Sequence, residues 1–173
     1  FGKANEYLSL IKFSHTIFAM PFAFVGFTLA IARAGYPFSL KILLLVIACM
    51  VFARSAAMSF NRIADRGFDK LNPRTVKREI PSGKISVHNA IIFTTASSLL
   101  FIVSAALLNN LALILSPVAL IIILGYSYTK RFTPLCHLFL GLGLSLAPIG
   151  AYIAVTGHFA LLPLLFSGVV ITW

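Results

Sequence analysis

The sequence has very little charge, and almost none of it is negative. Only 10% of its 173 residues are charged, and four of them are Asp or Glu against 14 Lys and Arg. Hydrophobic residues make up 60% of the chain, and the mean hydropathy is +0.98. This composition lies outside the range of soluble domains. We therefore expect an integral membrane protein that is embedded in the lipid bilayer.

Cysteine is scarce as well. Cys49 and Cys136 are the only two cysteines, and they lie in separate apolar stretches. They form neither a CxxC motif nor a Cys/His spacing typical of metal ligands. The pattern predicts neither a disulfide framework nor a zinc site, and both side chains are expected to lie among packed apolar residues.

Charged residues are confined to short stretches, and the uncharged runs between them are long. About 20 apolar residues suffice to cross a bilayer as a helix. The runs predict an all-α, polytopic bundle of about six transmembrane spans, preceded by a short polar segment over residues 1–12. The spans are residues 13–32, residues 39–60, two in the run 85–129 that turns at Asn109 and Asn110, one ending near Val155, and one starting at Ala160.

The net charge of +10 would point to nucleic acid in a soluble domain, but the placement of the charges indicates another cause. Alternating the connections between the spans puts twelve of the fourteen basic residues on one side, and only Arg33 and Lys41 on the other. The positive-inside rule makes the basic side cytoplasmic, together with the N-terminus and residues 61–84. No nucleic-acid partner is needed to explain the charge.

Two of the four acidic residues lie one helical turn apart in the segment FNRIADRGFDKLNPRTVKREIPSGKIS, residues 60–86. If the second span continues into this segment as a helix, Asn61, Asp65 and Asp69 share one face, each step rising about 6 Å. Proteins commonly hold Mg²⁺ with one or two carboxylates together with the phosphates of a substrate. The stripe therefore predicts a site for a metal diphosphate.

Basic side chains follow this stripe in a segment that contains prolines and a glycine. Such a segment is expected to form a shaped loop that can fold over an anion. At the end of the fourth span, Tyr126 and Lys130 share a helical face and can donate to the same phosphates. The basic residues of the loop are Arg74, Lys77, Arg78 and Lys84.

The spacing alone is equally compatible with a structural role. Carboxylates next to a membrane often pair with arginines such as Arg62 and Arg66, and basic loops often only fix topology or contact anionic lipid. A transporter or channel subunit with Asp65 and Asp69 as an ion site is the main alternative, although it predicts polar groups at mid-membrane. A CDP-alcohol phosphotransferase is a third possibility, but its opening Asp-Gly and Ala-Arg are absent ahead of Asp65.

The same residues resemble the first aspartate-rich motif of the UbiA superfamily of intramembrane prenyltransferases. Tyr126 and Lys130 match the family's Tyr-x-x-x-Lys, and FSHTIFAMPFAFVG is similar to the first helix of its 4-hydroxybenzoate-type members. Arg62 stands where many members have the first Asp of the motif. The pattern Asn-Asp-x-x-Asp-x-x-x-Asp, Thr-x-x-Arg and Pro-x-Gly is otherwise matched by Asn61, Asp65, Asp69, Thr75, Arg78, Pro81 and Gly83.

The resemblance implies a single transmembrane prenyltransferase domain, with residues 1–173 as the N-terminal part of a nine-helix bundle and residues 61–89 as a cytoplasmic loop. It implies Mg²⁺-dependent transfer of a polyprenyl group from its diphosphate to an aromatic acceptor, 4-hydroxybenzoate, in a bacterial inner membrane. The family's second Asp-rich motif would follow the sixth span, so this piece alone is expected to be inactive. The implied metal ligands and catalytic residues are Asn61, Asp65 and Asp69, and the implied diphosphate ligands are Arg74, Arg78, Tyr126 and Lys130.

Several points stay open at this level. His15 near the start of the first span either contacts the acceptor or is a buried histidine with an internal hydrogen bond. Arg54, about two turns before Asn61, either faces the interior of the bundle or extends outward to the interface. The small residues Gly141–Ser145 predict close helix packing. The acceptor, the length of the prenyl chain and the quinone pathway, ubiquinone or menaquinone, are not determined by these residues.

Overall fold

The computed structural model describes residues 2–129 and 136–172, apart from the side chains of residues 13–15, 18, 136 and 172. Over these residues helices are the only regular secondary structure, which confirms the predicted all-α class. Seven helices follow one another, and the connections are short except for residues 72–86. They are α1 (Gly2–Leu10), α2 (Phe13–Ala32), α3 (Leu40–Leu71), α4 (Val87–Ala106), α5 (Asn110–Thr129), α6 (Cys136–Thr156) and α7 (Leu161–Thr172).

Four of these helices are long and apolar enough to cross a membrane, within the described part of the chain. They are α3, α4, α5 and residues His137–Thr156 of α6, while Ala19–Ala32 and Leu161–Ile171 are shorter apolar stretches. Each of the six predicted spans thus has a helix at its place, and the predicted turn at Asn109 and Asn110 separates α4 from α5. Large apolar side chains such as Ile114, Ile121 and Val169 point outward, as expected of surfaces that face lipid.

Helix α3 runs well beyond the predicted end of its span. It continues through the acidic stripe to Leu71, and the next helix begins at Val87, so the predicted loop 61–89 is too long and only residues 72–86 are irregular. Asn72 takes an extended conformation, as expected of a residue that precedes a proline. At the other end, the Ser86 side chain accepts a hydrogen bond from the amide of Asn89 and caps α4.

Small and hydroxyl-bearing residues hold the long helices together. Thr94 of α4 donates to the Ser59 hydroxyl of α3 at 2.9 Å, and Ser59 donates to the Ala90 carbonyl at 3.3 Å. In α6, a side chain on Gly141 would overlap the carbonyl of Ile171 in α7, which confirms the predicted close packing there. Such contacts replace the hydrophobic effect as the cohesive force between helices in lipid.

The N-terminal helix packs against the irregular segment 72–86. Leu10 is fully buried in a cluster with Ile63, Ile80 and Ile85, together with Ala90. Lys12 has a φ of 46°, a left-handed conformation that turns the chain sharply between α1 and α2. We call the end of the bundle that contains residues 61–86 and Tyr126 the charged end.

Candidate functional site

A deep cavity of about 360 Å³ lies between helices α2 to α6. It reaches from Asn61 and Tyr126 at the charged end to Leu108 and Phe159 at the opposite end. On α3 alone its wall runs from Val46 to Asn61, about 22 Å at the rise of an α-helix. Ala, Leu, Ile, Phe and Met side chains form nearly all of this wall, and the volume is that of a ligand pocket.

The few polar groups of the wall gather toward the charged end. Arg54, Asn61 and Tyr126 contribute them, and Arg54 and Asn61 lie on one face of α3 about 10 Å apart along the axis. Ser116 also lines the cavity, but its hydroxyl donates to the Leu113 carbonyl of its own helix. The cavity is therefore a mostly apolar chamber with polar side chains at one end.

Arg54 faces the interior of the bundle. The sequence was compatible with an inward orientation or with one toward the membrane interface. In the structure the side chain points inward and lines the cavity. Its Nε is buried and has no hydrogen-bond partner. A buried N–H without a partner costs about 1–3 kcal/mol. The group is thus a ready donor for a ligand in the cavity, in an otherwise apolar wall.

The acidic stripe has the predicted helical geometry. Asn61, Asp65 and Asp69 all lie in α3, at intervals of about 6 Å along its axis. Asn61 lines the cavity, Asp65 is half-buried, and Asp69 is only 5% exposed. The stripe therefore leads from the cavity to the underside of the loop 72–86.

Asp69 is engaged by a residue of that loop. Nη1 of Arg78 donates to both carboxylate oxygens, at 2.8 and 3.0 Å, and the two side chains form an ion pair. The Thr75 hydroxyl donates to the main-chain oxygen of Asp69 at 3.1 Å. Two of the predicted site residues, Asp69 and Arg78, are thus in direct contact.

The arginines nearest in sequence do not supply this contact. Nη1 of Arg66 donates to the main-chain oxygen of Ile63 at 2.9 Å. Arg62 is 4% exposed, its Nε is buried without a hydrogen-bond partner, and the charges of Asp65, Asp69, Glu79 and Arg78 act on it. Glu79 accepts a hydrogen bond from Ser9 of α1 through one carboxylate oxygen, and the other is buried without a partner. This buried cluster of charges around Arg62 and Glu79 was not predicted from the sequence pattern.

The remaining predicted residues lie apart from the cavity or outside the described part of the chain. Arg74 is exposed on the loop, and its amide donates to the Asn72 side chain at 2.9 Å. Lys130 lies outside the described residues, as does the side chain of His15. Of the predicted diphosphate ligands, Tyr126 is at the cavity and Arg78 is at the stripe.

The donor set at the charged end fits Mg²⁺ that is bound together with a diphosphate. Within the described residues, no three His, Cys, Asp or Glu side chains cluster as ligands of a metal ion. Asn61 offers an amide oxygen at the cavity wall, and Asp65 a carboxylate one turn further along α3. Mg²⁺ keeps several waters and takes further oxygens from substrate phosphates, so one or two protein ligands suffice.

The fold and the site define a class of membrane protein: a helix bundle with an apolar cavity that has acidic and basic residues at one end. The chain belongs to the UbiA prenyltransferase family, whose model matches residues 19–173. It is an integral membrane protein of that family.

Curated relatives extend the match over nearly the whole chain. The 4-hydroxybenzoate octaprenyltransferase of Photobacterium profundum is 31% identical over 172 residues, which cover 99% of this chain and 60% of that protein. The protein of the same name from Coxiella burnetii is 38% identical over 128 residues, covering 74% of this chain and 44% of its own length. The chain thus spans about half the length of the curated relatives it matches.

Solved structures show the same bundle. A UbiA homologue from Aeropyrum pernix K1, in its apo form, is 41% identical with a TM-score of 0.79 over 91% of this chain and 57% of its own. A UbiA homologue from Archaeoglobus fulgidus, solved with GPP and Mg²⁺, is 22% identical with a TM-score of 0.70 over 96% of this chain and 58% of its own. At 22% identity, the similarity to the Archaeoglobus fulgidus homologue is a similarity of fold.

Proposed function

We propose that this chain carries the first half of a site for Mg²⁺-dependent transfer of a polyprenyl group from its diphosphate to an aromatic acceptor, 4-hydroxybenzoate, in quinone biosynthesis. The observation that carries the proposal is the deep apolar cavity whose polar side chains gather beside the acidic stripe. The names of the curated relatives and the GPP and Mg²⁺ of the Archaeoglobus fulgidus homologue support it.

The charged end binds the diphosphate in this proposal. Mg²⁺ neutralises the diphosphate leaving group, so that the allylic C–O bond can ionise. Asn61 and Asp65 hold the ion through their oxygens at the mouth of the cavity. Arg78 and Tyr126 donate charge-assisted and neutral hydrogen bonds to the diphosphate oxygens, and Arg74 and Lys130 add positive charge.

The apolar wall houses the prenyl chain and keeps water from the allylic carbon. Side chains such as Phe101 of α4 and Phe139 and Leu144 of α6 line the cavity. Their apolar surface matches an isoprenoid tail, and their exclusion of water protects a carbocation from hydrolysis. Aromatic faces also interact favourably with positive charge.

Arg54 orients the acceptor. Its guanidinium is a cationic group on the cavity wall, and its Nε is buried without a partner. The carboxylate of 4-hydroxybenzoate satisfies such a donor with a charge-assisted hydrogen bond. The separation of about 10 Å along α3 between Arg54 and Asn61 leaves room for the aromatic ring between the carboxylate and the diphosphate.

The test is transfer from geranyl diphosphate to 4-hydroxybenzoate by the product of the complete reading frame that encodes this chain, with and without Mg²⁺. Asp65→Asn is the matched control. Product from the wild type alone supports the proposal. Release of diphosphate without prenylated product supports the ionisation step and rejects 4-hydroxybenzoate as the acceptor. If folded protein yields neither product nor free diphosphate, the transporter with Asp65 and Asp69 as an ion site is favoured.

We further propose that the charged end faces the cytoplasm across a bacterial inner membrane, because twelve of the fourteen basic residues lie on that side of the predicted topology. Single cysteines at Lys84 and at Lys41, in a background that lacks Cys49 and Cys136, test this. An impermeant maleimide added to intact cells is expected to label position 41 and not position 84. The reverse pattern contradicts the orientation.

A further inference from the structure

The contacts of Asp69 differ from those of the other two residues of the stripe. Asn61 lines the cavity, whereas Asp69 lies about 12 Å further along α3 and is not part of the cavity wall. Both of its carboxylate oxygens accept from Arg78, and its main-chain oxygen accepts from Thr75. The side chain and the main chain of Asp69 therefore hold the same loop at two points.

We infer that Asp69 is a positioning residue, which fixes Arg78 and the loop 72–86 against the end of α3, rather than a ligand of the metal ion. The part of this inference that concerns the metal rests on the proposed function, and the part that concerns the loop does not. Asn61 and Asp65 remain the two protein ligands on α3.

The charge balance around Arg78 explains why a carboxylate is needed there. Arg62 is buried beside Arg78, and the two guanidinium groups repel each other. Asp69 offsets this repulsion with an ion pair that is itself largely shielded from water, since its side chain is 7% exposed. If Asp69 turned to a metal ion, Arg78 would lose its ion-pair partner, and less negative charge would remain to offset its repulsion with Arg62.

The arrangement leaves Arg78 able to bind an anion. Only Nη1 is used in the ion pair, and the side chain is 32% exposed. A guanidinium has five N–H donors in a rigid fork, so one edge can be held by a carboxylate while another faces a phosphate. Asp69 thus orients the arginine in advance, and less conformational entropy is lost when the diphosphate binds.

The rate at which trypsin cleaves the loop 72–86 measures how firmly the loop is held, and the assay needs no ligand. Arg74, Lys77 and Lys84 are exposed on it and are natural cleavage sites. In the complete protein, Asp69→Asn and Arg78→Gln are each expected to raise the cleavage rate of the loop about tenfold, as loss of a charge-assisted hydrogen bond predicts. The double variant is expected to cleave no faster than either single one, because the two residues act as a pair. Asp65→Asn, one turn away, is the matched control and is expected to cleave like the wild type.

The second measurement is the Mg²⁺ concentration for half-maximal binding of a non-ionising prenyl thiodiphosphate, by calorimetry. Asp69→Asn is expected to leave it within about threefold of the wild type, whereas Asp65→Asn is expected to raise it about tenfold or more. An Asp69→Asn loop that resists trypsin like the wild type, or an Mg²⁺ requirement that rises as much as in Asp65→Asn, overturns the inference. If the wild type binds no thiodiphosphate, the proposed function fails, and the cleavage rates still decide whether Asp69 holds the loop.

Discussion

Gly26 of α2 lies directly against the main chain of Pro148 in α6, where a Cβ atom on Gly26 would overlap the Pro148 carbonyl oxygen. Glycine is required here by the close approach of two backbones. The contact fixes the distance between α2 and α6, two helices that contribute to the cavity wall through Ala23 and Ala147. Its loss would therefore change the shape of the cavity as well as the stability of the bundle.

The substitution Gly26→Ala is expected to lower the free energy of unfolding by about 1–3 kcal/mol, since the two helices must separate to admit the methyl group. Thermal unfolding in detergent measures this loss. Gly125→Ala is the control, because an added Cβ there meets nothing within 4 Å. Alanine is a better helix former than glycine by about 1 kcal/mol, so the control should be neutral or stabilised. An equal loss in both variants would show that the close approach is not the cause.

Asp65→Asn is expected to retain the fold and to lower Mg²⁺-dependent turnover by about a hundredfold or more, because it removes the charged side chain that is proposed to hold the ion. The rate of product formation and the melting temperature are measured together. Glu6→Gln, which removes an acid from α1, should have near wild-type turnover. Near wild-type turnover of Asp65→Asn would refute the metal role of this residue.

Arg54→Met is expected to raise the KM for 4-hydroxybenzoate about tenfold or more and to leave the KM for the prenyl diphosphate nearly unchanged. The wild type should also prefer 4-hydroxybenzoate to phenol, which lacks the carboxylate. Loss of this preference in Arg54→Met would locate the carboxylate at Arg54. A preference that survives the substitution would mean that another group binds it.

Lys130→Met is expected to have the opposite selectivity. It should weaken binding of the prenyl diphosphate by about tenfold, because the proposed charge-assisted hydrogen bond to the leaving group is removed, and should affect the acceptor less. Separate titrations of the two substrates measure the difference. A larger effect on the acceptor would be inconsistent with the role predicted from the Tyr-x-x-x-Lys pattern.

Ala112→Phe is expected to shorten the chamber at the end remote from the acidic stripe. Ala112 lines the cavity near Leu108, and a phenyl ring there occupies space that a long isoprenoid tail would use. Turnover with long prenyl diphosphates should fall, while turnover with dimethylallyl diphosphate should be retained. Ile114→Phe, on the outward face of the same helix where Ile114 is 68% exposed, is the matched control. Equal loss with both chain lengths would point to misfolding instead.

The spans were predictable from the sequence because charges end the apolar runs. Residues 13–32 form α2 within the same bounds, and the turn at Asn109 appears where it was expected. The helical stripe through Asp65 was predictable as well, because residues four apart lie on the same face of a helix. These features depend only on local periodicity.

The contacts of the site were not predictable, because they depend on the path of the chain between helices. Arg62 and Arg66 are nearest to the acids in sequence, yet Arg78 forms the ion pair after the loop folds back over α3. The inward orientation of Arg54 is likewise decided by how α4 to α6 pack around it. Residues 2–10 read as a polar segment, but they form a helix because Leu10 is buried among residues distant in the sequence.

The hydrogen bond between Ser9 and Glu79 joins positions that are 70 residues apart. During synthesis at the membrane, α1 can therefore dock only after α2 and α3 have been inserted and the loop 72–86 has been made. The acidic stripe and its loop can take their final arrangement only after that docking.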